Sequence, residues 1–391
     1  MKLLFALTYY RPHISGLTIY VERLAEALAA RGHEVTVLTS QHDPALAREE
    51  THEGVRVVRV PVAFRIGKGA LMPSYLKYAL PLLRAHDLLM LNLPATPFEA
   101  ALLPALARFI TRRPCVATYH CDIHLPGGLL NRIAERVVLI NNLAAASLVN
   151  RIVVTTKDYA EHSPLLRRFL RKLETIQPSV RIEEPDAAEV AAFRRLHAPD
   201  GERLVGFPAR FASEKGVEYL LDALPLIRSE IPRVKILFTG DPRKVVGEES
   251  YLRRTQPRLD EARAACIFLG ALDWRQMSVF YSACDVTVLP SINSTESFGL
   301  AQLESMLCGT PVVVSDLPGL RVPVHTTGMG RIVAPRDARA LATAIIDVIQ
   351  HKHLYHRPRA DIESLFPFDT MVEQHEELFE RLLRESATSE N

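Results

Sequence analysis

The stretch from Leu289 to Asp316 constrains the fold of this chain more than any other part of the sequence. Its elements are, in order, the end of an apolar strand at Val286–Leu289, a helix from about Leu300 to Leu307, a glycine stop at Gly309 and a second strand at Val312–Ser315. Strand, polar loop, helix and strand form a βαβ unit, whose two strands run parallel. Sheets built from such units bind ligands at the carboxyl ends of their strands.

The loop inside this unit predicts an anion site bordered by two carboxylates. The helix start offers the backbone N–H groups of Phe298, Gly299 and Leu300, and free amides at a helix N-terminus favour an anion. Glu296 and Glu304, with seven residues between them, flank the same place. Because carboxylates accept hydrogen bonds from hydroxyls, we expect a ligand that carries both phosphate and hydroxyl groups.

Length and composition predict a soluble chain of two domains. The 391 residues exceed what one hydrophobic core usually organises, and 48% hydrophobic with 24% charged residues is ordinary for a globular protein. Five cysteines without framework spacing indicate free thiols, and Arg11-Pro12, not a cleavage site, follows the first apolar run. The most apolar stretch, Val137–Val149, is too short to span a bilayer. We therefore expect a cytoplasmic protein.

Charge is unevenly distributed along the sequence. Residues 1–178 contain 22 Lys and Arg against 14 Asp and Glu, whereas the remainder contains 25 against 31. A basic first half predicts contact with an anionic surface or acceptor, and the alternative is that its Arg-rich helices are simply solvated. Much of the excess comes from Arg65, Lys68, Arg108, Arg112, Arg113, Arg167, Arg168, Arg171 and Lys172.

Some of these basic residues stand beside apolar ones, as in basic helices that lie on anionic membranes. A lipid-linked acceptor at the inner face of the cytoplasmic membrane and a soluble acceptor therefore both remain open. Nucleic acid is disfavoured as a partner, because the sequence has no recognisable nucleic-acid-binding module.

Alternating strand and helix patterns predict a doubly wound parallel sheet in each half of the chain. The strands expected in the first half are Lys2–Thr8, Glu34–Leu38, Val55–Val60, Leu88–Leu93, Cys115–Tyr119, Ile152–Val154 and Glu174–Ile176. Those expected in the second half are Leu204–Phe207, Val234–Thr239, Ile267–Leu269, Val286–Leu289, Val312–Ser315 and Arg331–Val333. We place the domains at residues 1–180 and 181–367, with a final helix at 368–386 that can pack back on the first domain.

Two βα turns outside the opening stretch also predict phosphate contacts. The first reads RPHISGLT and lacks Gly-x-Gly-x-x-Gly, which disfavours a dinucleotide dehydrogenase, although Gly16 at the helix entry lets a backbone approach a phosphate. The second carries Arg210, Lys215 and Gly216 after an apolar strand. A guanidinium and an ammonium there would clamp a diphosphate and stabilise the charge that develops on it as a leaving group.

Taken together, these motifs resemble the retaining glycosyltransferases of family 4 over nearly the whole chain. The segments that carry the resemblance are SGLTIYVERLAEALAARGHEVTVLT, TYHCDIH, TTKDYAEHSP, ARFASEKG, ESFGLAQLE and CGTPVVVSDLPG. The resemblance implies the α/β GT-B fold, in which two Rossmann-like doubly wound parallel-sheet domains face an interdomain cleft. It also implies metal-independent hexosyl transfer, without a cofactor, from a UDP- or GDP-sugar to a glycan, lipid-linked or small-molecule acceptor.

The resemblance assigns catalytic roles to four residues. Arg210 and Lys215 match the cations that bind the diphosphate. Glu296 matches the glutamate that contacts the transferred sugar, and His120, at the end of the strand Cys115–Tyr119, matches the histidine that faces this sugar from the first domain.

It assigns ligand binding to five more. Phe298, Gly299 and Leu300 match the amides on sugar and phosphate, Glu304 matches the residue that accepts hydrogen bonds from the ribose, and Gly16 matches a first-loop glycine. Two departures are visible: Ser15-Gly16 replaces a glycine pair, which weakens the assignment of Gly16, and Pro178-Ser179-Val180 replaces Asn-Gly after the linker strand.

Several alternatives stay open at this point. His120, Asp122 and His124 alternate and could share one face of a strand as metal ligands, although no fourth ligand is evident. Glu296 could act as a covalent nucleophile in place of front-face attack. The same fold could also support a nucleotide-sugar epimerase, a phosphorylase or a non-catalytic nucleotide-sugar-binding protein.

Overall fold

A computed structural model of the protein describes residues 1–66, 69–96, 98–124, 128–241, 243, 245 and 248–389. The chain divides into two compact units, which are Met1–Pro178 with Asp369–Asn391 (unit 1) and Ser179–Phe368 (unit 2). The domain boundary that we predict after residue 180 lies two residues from the observed one. Lys68, one of the basic residues noted above, lies outside the described residues.

Unit 1 is built on an eight-stranded sheet in the order β10-β9-β8-β7-β1-β2-β4-β3. Its strands, with a separate hairpin β5–β6, are β1 Lys2–Ala6, β2 Glu34–Gln41, β3 Glu49–His52, β4 Val55–Pro61, β5 Phe64–Ile66, β6 Gly69–Leu71, β7 Leu88–Leu93, β8 Cys115–Tyr119, β9 Arg151–Val154 and β10 Leu173–Thr175. Neighbouring strands run parallel, except that β3 is antiparallel to β4. The seven predicted strands are all present, and the continuous apolar runs of β1, β7 and β8 correspond to parallel strands that are buried on both faces.

The helices of unit 1 cover this sheet, and they are α1 Gly16–Ala30, α2 Tyr75–Ala85, α3 Leu103–Leu106, α4 Leu129–Leu148 and α5 Lys157–His162. The sequence pattern between β7 and β8 also predicts a helix at 97–110. The structure is less regular there, since five-residue π-helical segments flank α3 on both sides, and Pro97 lies outside the described residues. Strands β3, β5 and β6 were not predicted from the sequence, because each has only three or four residues and lacks a continuous apolar run.

Unit 2 contains a six-stranded, fully parallel sheet in the order β13-β12-β11-β14-β15-β16. The strands are β11 Arg203–Phe207, β12 Val234–Thr239, β13 Cys266–Gly270, β14 Val286–Leu289, β15 Val312–Ser315 and β16 Gly330–Val333. The chain winds outward from β11 through β12 to β13, then returns to β14 on the other side of β11. The strand order therefore reverses between β11 and β14, and such a switch point is where open α/β sheets bind ligands.

Helices pack on both faces of the unit 2 sheet. They are α6 Ala187–His197, α7 Val217–Glu230, α8 Glu249–Glu261, α9 Trp274–Ala283, α10 Leu300–Leu307, α11 Val322–Thr327, α12 Ala338–Gln350 and α13 Arg359–Leu365. Consecutive strand residues point to opposite faces, so Leu204 joins one buried apolar cluster and Val205 the other. Two cores, one on each face, are the physical reason that the strands read as unbroken apolar runs.

The last helix, α14 at Phe368–Ser389, packs against unit 1 through charged and buried contacts. Arg31 donates to Glu376 at 2.6 Å, and His33 lies 2.7 Å from the same carboxylate. Residues 369–391 carry seven acidic and two basic side chains. Unit 1 as folded therefore holds 24 Lys and Arg against 21 Asp and Glu, and unit 2 holds 23 against 24. The prediction of a basic first domain and an acidic second domain is therefore wrong for the folded units. The reason is that the acidic C-terminal helix belongs to unit 1.

Within the part of the chain that the structure describes, no helix combines the length and the apolar composition that crossing a bilayer requires.

Candidate functional site

The loops that follow β11 and β14 meet at the switch point of unit 2. The Ile292 amide donates to the Glu214 carbonyl at 3.0 Å. Gly216 has φ +67°, and a Cβ there would lie 2.2 Å from the Pro290 carbonyl oxygen. Only glycine fits both the backbone conformation and the contact, so the two loops that carry the predicted charged residues are held side by side.

Lys215 and Glu296 come together where these loops touch. The Lys215 ammonium forms an ion pair with a carboxylate oxygen of Glu296, and the two side chains are only 17% and 15% exposed. They lie 81 residues apart in sequence. The structure therefore joins the cation predicted for the diphosphate and the carboxylate predicted for the sugar in one largely buried contact.

Arg210 occupies a more open position on the first of these loops. Its side chain is 43% exposed, and a guanidinium nitrogen lies 3.5 Å from a carboxylate oxygen of Glu214. The structure thus places Arg210 beside Glu214 and does not pair it with Glu296. An exposed ion pair of this kind contributes little stability, so the guanidinium can turn to a ligand at small cost.

The second loop ends in the N-terminus of α10, where Gly299 is the N-cap residue with φ +73°. A Cβ at Gly299 would lie 2.7 Å from Leu320 Cδ1. The side-chain amide of Gln302 stabilises the turn, because its Nε2 donates to the Phe298 carbonyl at 2.5 Å and to the Leu320 carbonyl at 2.8 Å. The first amides of α10, beginning at Leu300, have no acceptor within the helix, as at any helix start, which suits an anion.

Glu304 lies one turn into α10 and is 9% exposed. The Tyr281 hydroxyl donates to its Oε2 at 2.9 Å, which fixes the carboxylate from the neighbouring helix α9. Sequence reasoning missed Tyr281, Gln302 and Glu214 as supporting residues. Tyr281 acts on a residue of another helix, so no local sequence pattern could have revealed its role. Gln302 and Glu214 lie inside the recognised motifs ESFGLAQLE and ARFASEKG, which was the available signal for them.

In unit 1, His120 follows β8 directly and is partly buried. Its Nε2 lies 2.9 Å from the Asn92 Oδ1 atom, and its ring meets Tyr20 edge-on with centroids 5.4 Å apart. Burial lowers the pKa of His120 to about 3, so the imidazole is neutral at physiological pH. Sequence reasoning found the histidine but missed Asn92 and Tyr20.

Gly16 begins α1, and Ser15 before it is the N-cap, with its hydroxyl accepting from the Thr18 amide at 3.2 Å. The space beside Gly16 is open, with no heavy atom within 4 Å of an added Cβ. The serine that departs from the family pattern therefore caps the helix that Gly16 opens.

The ligand atoms of His120, Asp122 and His124 do not converge in the structure. Asp122 accepts instead from the Tyr119 hydroxyl at 2.8 Å and from the Ser163 hydroxyl at 2.9 Å. The hypothesis that these three residues form a metal site is therefore wrong. The strand ends at Tyr119, so the side chains after it no longer alternate between two faces.

Two family models match the chain in succession. Residues 15–178 match the glycosyl transferase 4-like domain, and residues 190–363 match the glycosyl transferases group 1. The two matches lie in unit 1 and unit 2, respectively.

Named relatives cover most of the chain. A glycosyltransferase of Methanocaldococcus jannaschii, named as uncharacterized, is 26% identical over 96% of both chains. The phosphatidyl-myo-inositol mannosyltransferase of Mycobacterium tuberculosis is 29% identical over 88% of this chain and 86% of its own, and the glycogen synthase of the same organism is 29% identical over 89% and 86%.

Solved structures share the fold. Sucrose-phosphate synthase from Thermosynechococcus elongatus matches with a TM-score of 0.79 and 24% identity over 98% of this chain and 99% of its own. Anabaena HepE in complex with UDP matches with a TM-score of 0.76 and 20% identity over 97% and 100%. The predictions of an enzyme and of its fold are confirmed: the chain belongs to the GT4-type glycosyltransferases and has the α/β GT-B fold.

Proposed function

We propose that this glycosyltransferase moves a hexose, with retention, from a nucleotide-diphosphate sugar to a hydroxyl acceptor. The contact between Lys215 and Glu296 at the switch point of unit 2 carries the proposal, because it sets a cation and a carboxylate beside the free amides of α10. The cation and the amides can bind a diphosphate, and the carboxylate can bind the hydroxyls of a sugar. Relatives named as a mannosyltransferase and a glycogen synthase, and a structural neighbour bound to UDP, support a nucleotide sugar as donor.

The chemistry follows from where negative charge develops. The bond between the anomeric carbon and the diphosphate oxygen breaks, the acceptor oxygen bonds to the same carbon, and the acceptor proton passes to the leaving diphosphate. Lys215, Arg210 and the α10 amides stabilise the departing charge electrostatically, which is commonly the largest catalytic term in such sites. Attack on the same face that the leaving group vacates gives retention without a covalent enzyme intermediate. This scheme uses no metal and no cofactor.

Glu296 and Glu304 serve different parts of the donor in this scheme. Glu296, next to Lys215, accepts hydrogen bonds from sugar hydroxyls, and Glu304, held by Tyr281, accepts them from the ribose. A vicinal diol can donate twice to one carboxylate, so both residues select a hydroxyl-rich ligand.

We also propose that the acceptor is presented at an anionic membrane surface on the cytoplasmic side. Helix α4 of unit 1 supports this, because its outward face is apolar and flanked by arginines. The exposed apolar residues at helical spacing are Leu129, Ile133, Val137 and Ile140, with Arg132 and Arg136 beside them. A basic, apolar helix face of this kind binds at the interface of an anionic bilayer.

Two further basic segments adjoin the C-terminal end of α4. Arg108 donates to the Leu148 carbonyl at 3.5 Å, and Lys172 donates to the Ser147 carbonyl at 2.7 Å. These segments expose Phe109 and Leu170 next to several arginines. A second copy of the chain would set arginines against arginines, whereas an anionic lipid surface complements them.

The five free cysteines suit a reducing compartment such as the cytoplasm.

Thermal-shift and transfer assays test the donor proposal. We expect at least one of the UDP-, GDP- or ADP-hexoses to raise the melting temperature of the wild type, and the shift to shrink in Lys215→Ala. NMR of the product linkage would show the same anomeric configuration as the donor. Donor conversion without any acceptor would indicate an epimerase, conversion that requires free phosphate would indicate a phosphorylase, and binding without turnover would indicate a non-catalytic protein.

Vesicle sedimentation tests the membrane proposal separately. The wild type should pellet with vesicles rich in anionic lipid and not with zwitterionic ones, and Ile133→Ser with Ile140→Ser should lose this binding. Leu196→Ser is the matched control, because Leu196 is 72% exposed but lies on α6 of unit 2. Equal binding of the α4 variant and the wild type would exclude α4 as the contact and leave a soluble acceptor in favour.

A further inference from the structure

The hydrogen bonds around His120 determine which of its ring nitrogens carries the proton. Asn92, on β7, is buried and donates from Nδ2 to the Ala6 carbonyl at 3.2 Å. A carbonyl only accepts, so the orientation of the Asn92 amide is fixed and its Oδ1 faces His120 Nε2 at 2.9 Å. Because Oδ1 also only accepts, Nε2 carries the proton. Nδ1 is then left with a lone pair.

A second chain of hydrogen bonds supports the ring from the other side. His375, on α14, directs Nδ1 to the Met371 carbonyl at 2.8 Å, so its Nε2 is an acceptor. The Tyr20 hydroxyl lies 3.0 Å from that Nε2 and must donate to it. Burial raises the pKa of Tyr20, so the hydroxyl keeps its proton. Tyr20 is thereby held with its ring edge-on to His120.

We propose that Asn92 is a positioning residue that locks His120 as the Nε2–H tautomer, so that Nδ1 accepts a hydrogen bond from a hydroxyl of the bound substrate. The tautomer follows from contacts inside unit 1, whereas the partner of Nδ1 rests on the proposed function. A ring in this state cannot donate to a phosphate oxygen through Nδ1. It therefore selects a hydroxyl over an anion at this place.

The neutral state of His120 agrees with its surroundings. Burial is the cause of its lowered pKa, and no charged side chain among the described residues adds to it. The groups that face the ring are the neutral amide of Asn92 and the protonated Tyr20, with His375 behind Tyr20. Burial also lowers the pKa of His375, to about 4. Asp122, two residues beyond His120, accepts from Tyr119 and Ser163.

The first experiment measures the tautomer directly in the full-length protein. With 15N-labelled histidine, long-range 15N–1H correlation spectra at pH 7 distinguish Nε2–H from Nδ1–H rings, and His120→Gln identifies the signal. We expect a neutral Nε2–H ring in the wild type. A neutral Nδ1–H ring, or a protonated ring at pH 7, overturns the proposal. This measurement needs no substrate, so it stands even if the proposed transfer is wrong.

The second experiment reads the consequence for turnover. Asn92→Asp places a carboxylate beside Nε2–H and should raise the pKa of His120, so kcat/KM should fall about tenfold or more between pH 8 and pH 6, where the wild type is level. Asn92→Ala should lower kcat/KM by about tenfold at every pH without adding this acid limb. An Asn92→Asp profile that parallels the wild type overturns the proposal. If Asn92→Asp fails to fold, Asn92→Ala and its NMR signal still decide, since an unchanged kcat/KM and an unchanged Nε2–H ring exclude the positioning role.

Thr118→Val is the matched control for a polar change in this sheet. Thr118 is buried on β8, two residues before His120, and its Oγ1 has no hydrogen-bond partner among the described residues. The variant should keep kcat/KM within about twofold of the wild type and leave the His120 signal unchanged. A loss equal to that of Asn92→Ala would assign the effect to general disturbance of the sheet and overturn the specific role of Asn92.

Discussion

Lys215 and Glu296 form an ion pair with each other, although the proposed function assigns them to different parts of the donor. A nucleotide sugar that engages both must replace their ion pair, the cation turning to the diphosphate and the carboxylate to the sugar. Because both side chains are largely buried, removing one leaves the other as an uncompensated buried charge. The two residues are therefore expected to act as a unit and not as independent contributors.

A double-mutant cycle on this pair should be strongly non-additive. Lys215→Ala should lower kcat by about a hundredfold, because one preorganised charge is lost from the leaving group. Adding Glu296→Gln to Lys215→Ala should cost less than the same change in the wild type. Lys235→Ala is the control, since Lys235 pairs with Glu202 at 2.6 Å in the same unit but away from the switch point. Near-normal turnover in Lys215→Ala would refute the diphosphate clamp.

Arg210→Ala should also lower kcat by about a hundredfold with a smaller effect on stability, since its partner Glu214 holds it at an exposed position. Steady-state kinetics and a melting curve on the same sample check both parts. Arg258→Ala, which breaks an exposed contact with Asp222 at 2.7 Å, should change neither turnover nor fold. Full activity in Arg210→Ala would mean that the guanidinium does not reach the diphosphate.

Tyr281→Phe should weaken donor binding by about fivefold to tenfold, because Glu304 loses the hydrogen bond that orients its carboxylate. Glu304→Ala should weaken donor binding further, with kcat less affected than donor affinity. Isothermal titration with the nucleotide alone measures the affinity of both variants, and steady-state kinetics give kcat. An unchanged affinity for the nucleotide in Glu304→Ala would count against the ribose role.

Gly216→Ala should destabilise unit 2 by more than Gly201→Ala. Both glycines have positive φ, +67° and +75°, but only Gly216 would bring a Cβ against the Pro290 carbonyl oxygen. Gly201→Ala should therefore cost about 1 kcal/mol for the backbone conformation alone, and Gly216→Ala should add the cost of separating the two loops. Urea unfolding gives the difference. Equal losses would show that the loop contact is not tight.

Unfolding should become easier as the pH falls from neutral, partly through His375. Its pKa is lowered to about 4, below the ordinary value of 6.5, so the unfolded chain takes up a proton that the folded chain resists. The stability that this ring contributes is complete above pH 6.5 and is lost as the pH falls toward 4. His375→Gln should reduce the drop in unfolding free energy between pH 7.5 and pH 5 by on the order of 1–2 kcal/mol. His353→Gln, which removes an exposed histidine, should leave the drop unchanged, and the same drop in His375→Gln would contradict the assignment.

Individual elements explain how far sequence patterns reached. The apolar runs at β11, β14 and β15 predicted buried parallel strands within one or two residues, because burial on both faces leaves no room for polar side chains. The short half-exposed strand β3 carried no such signal. The regular helix expected at 97–110 differs in the structure, since its π-helical turns do not alter an apolar pattern enough to be visible.

By itself, the sequence determined the local chemistry: which loops carry cations, which carry carboxylates, and which glycines allow a turn. Only the tertiary structure decided which of these groups meet. It paired Lys215 with Glu296, returned the acidic α14 to unit 1, and set Asn92 against His120. The physical reason is that these contacts join residues distant in sequence, and the crossovers of a parallel sheet, not local propensity, bring them together.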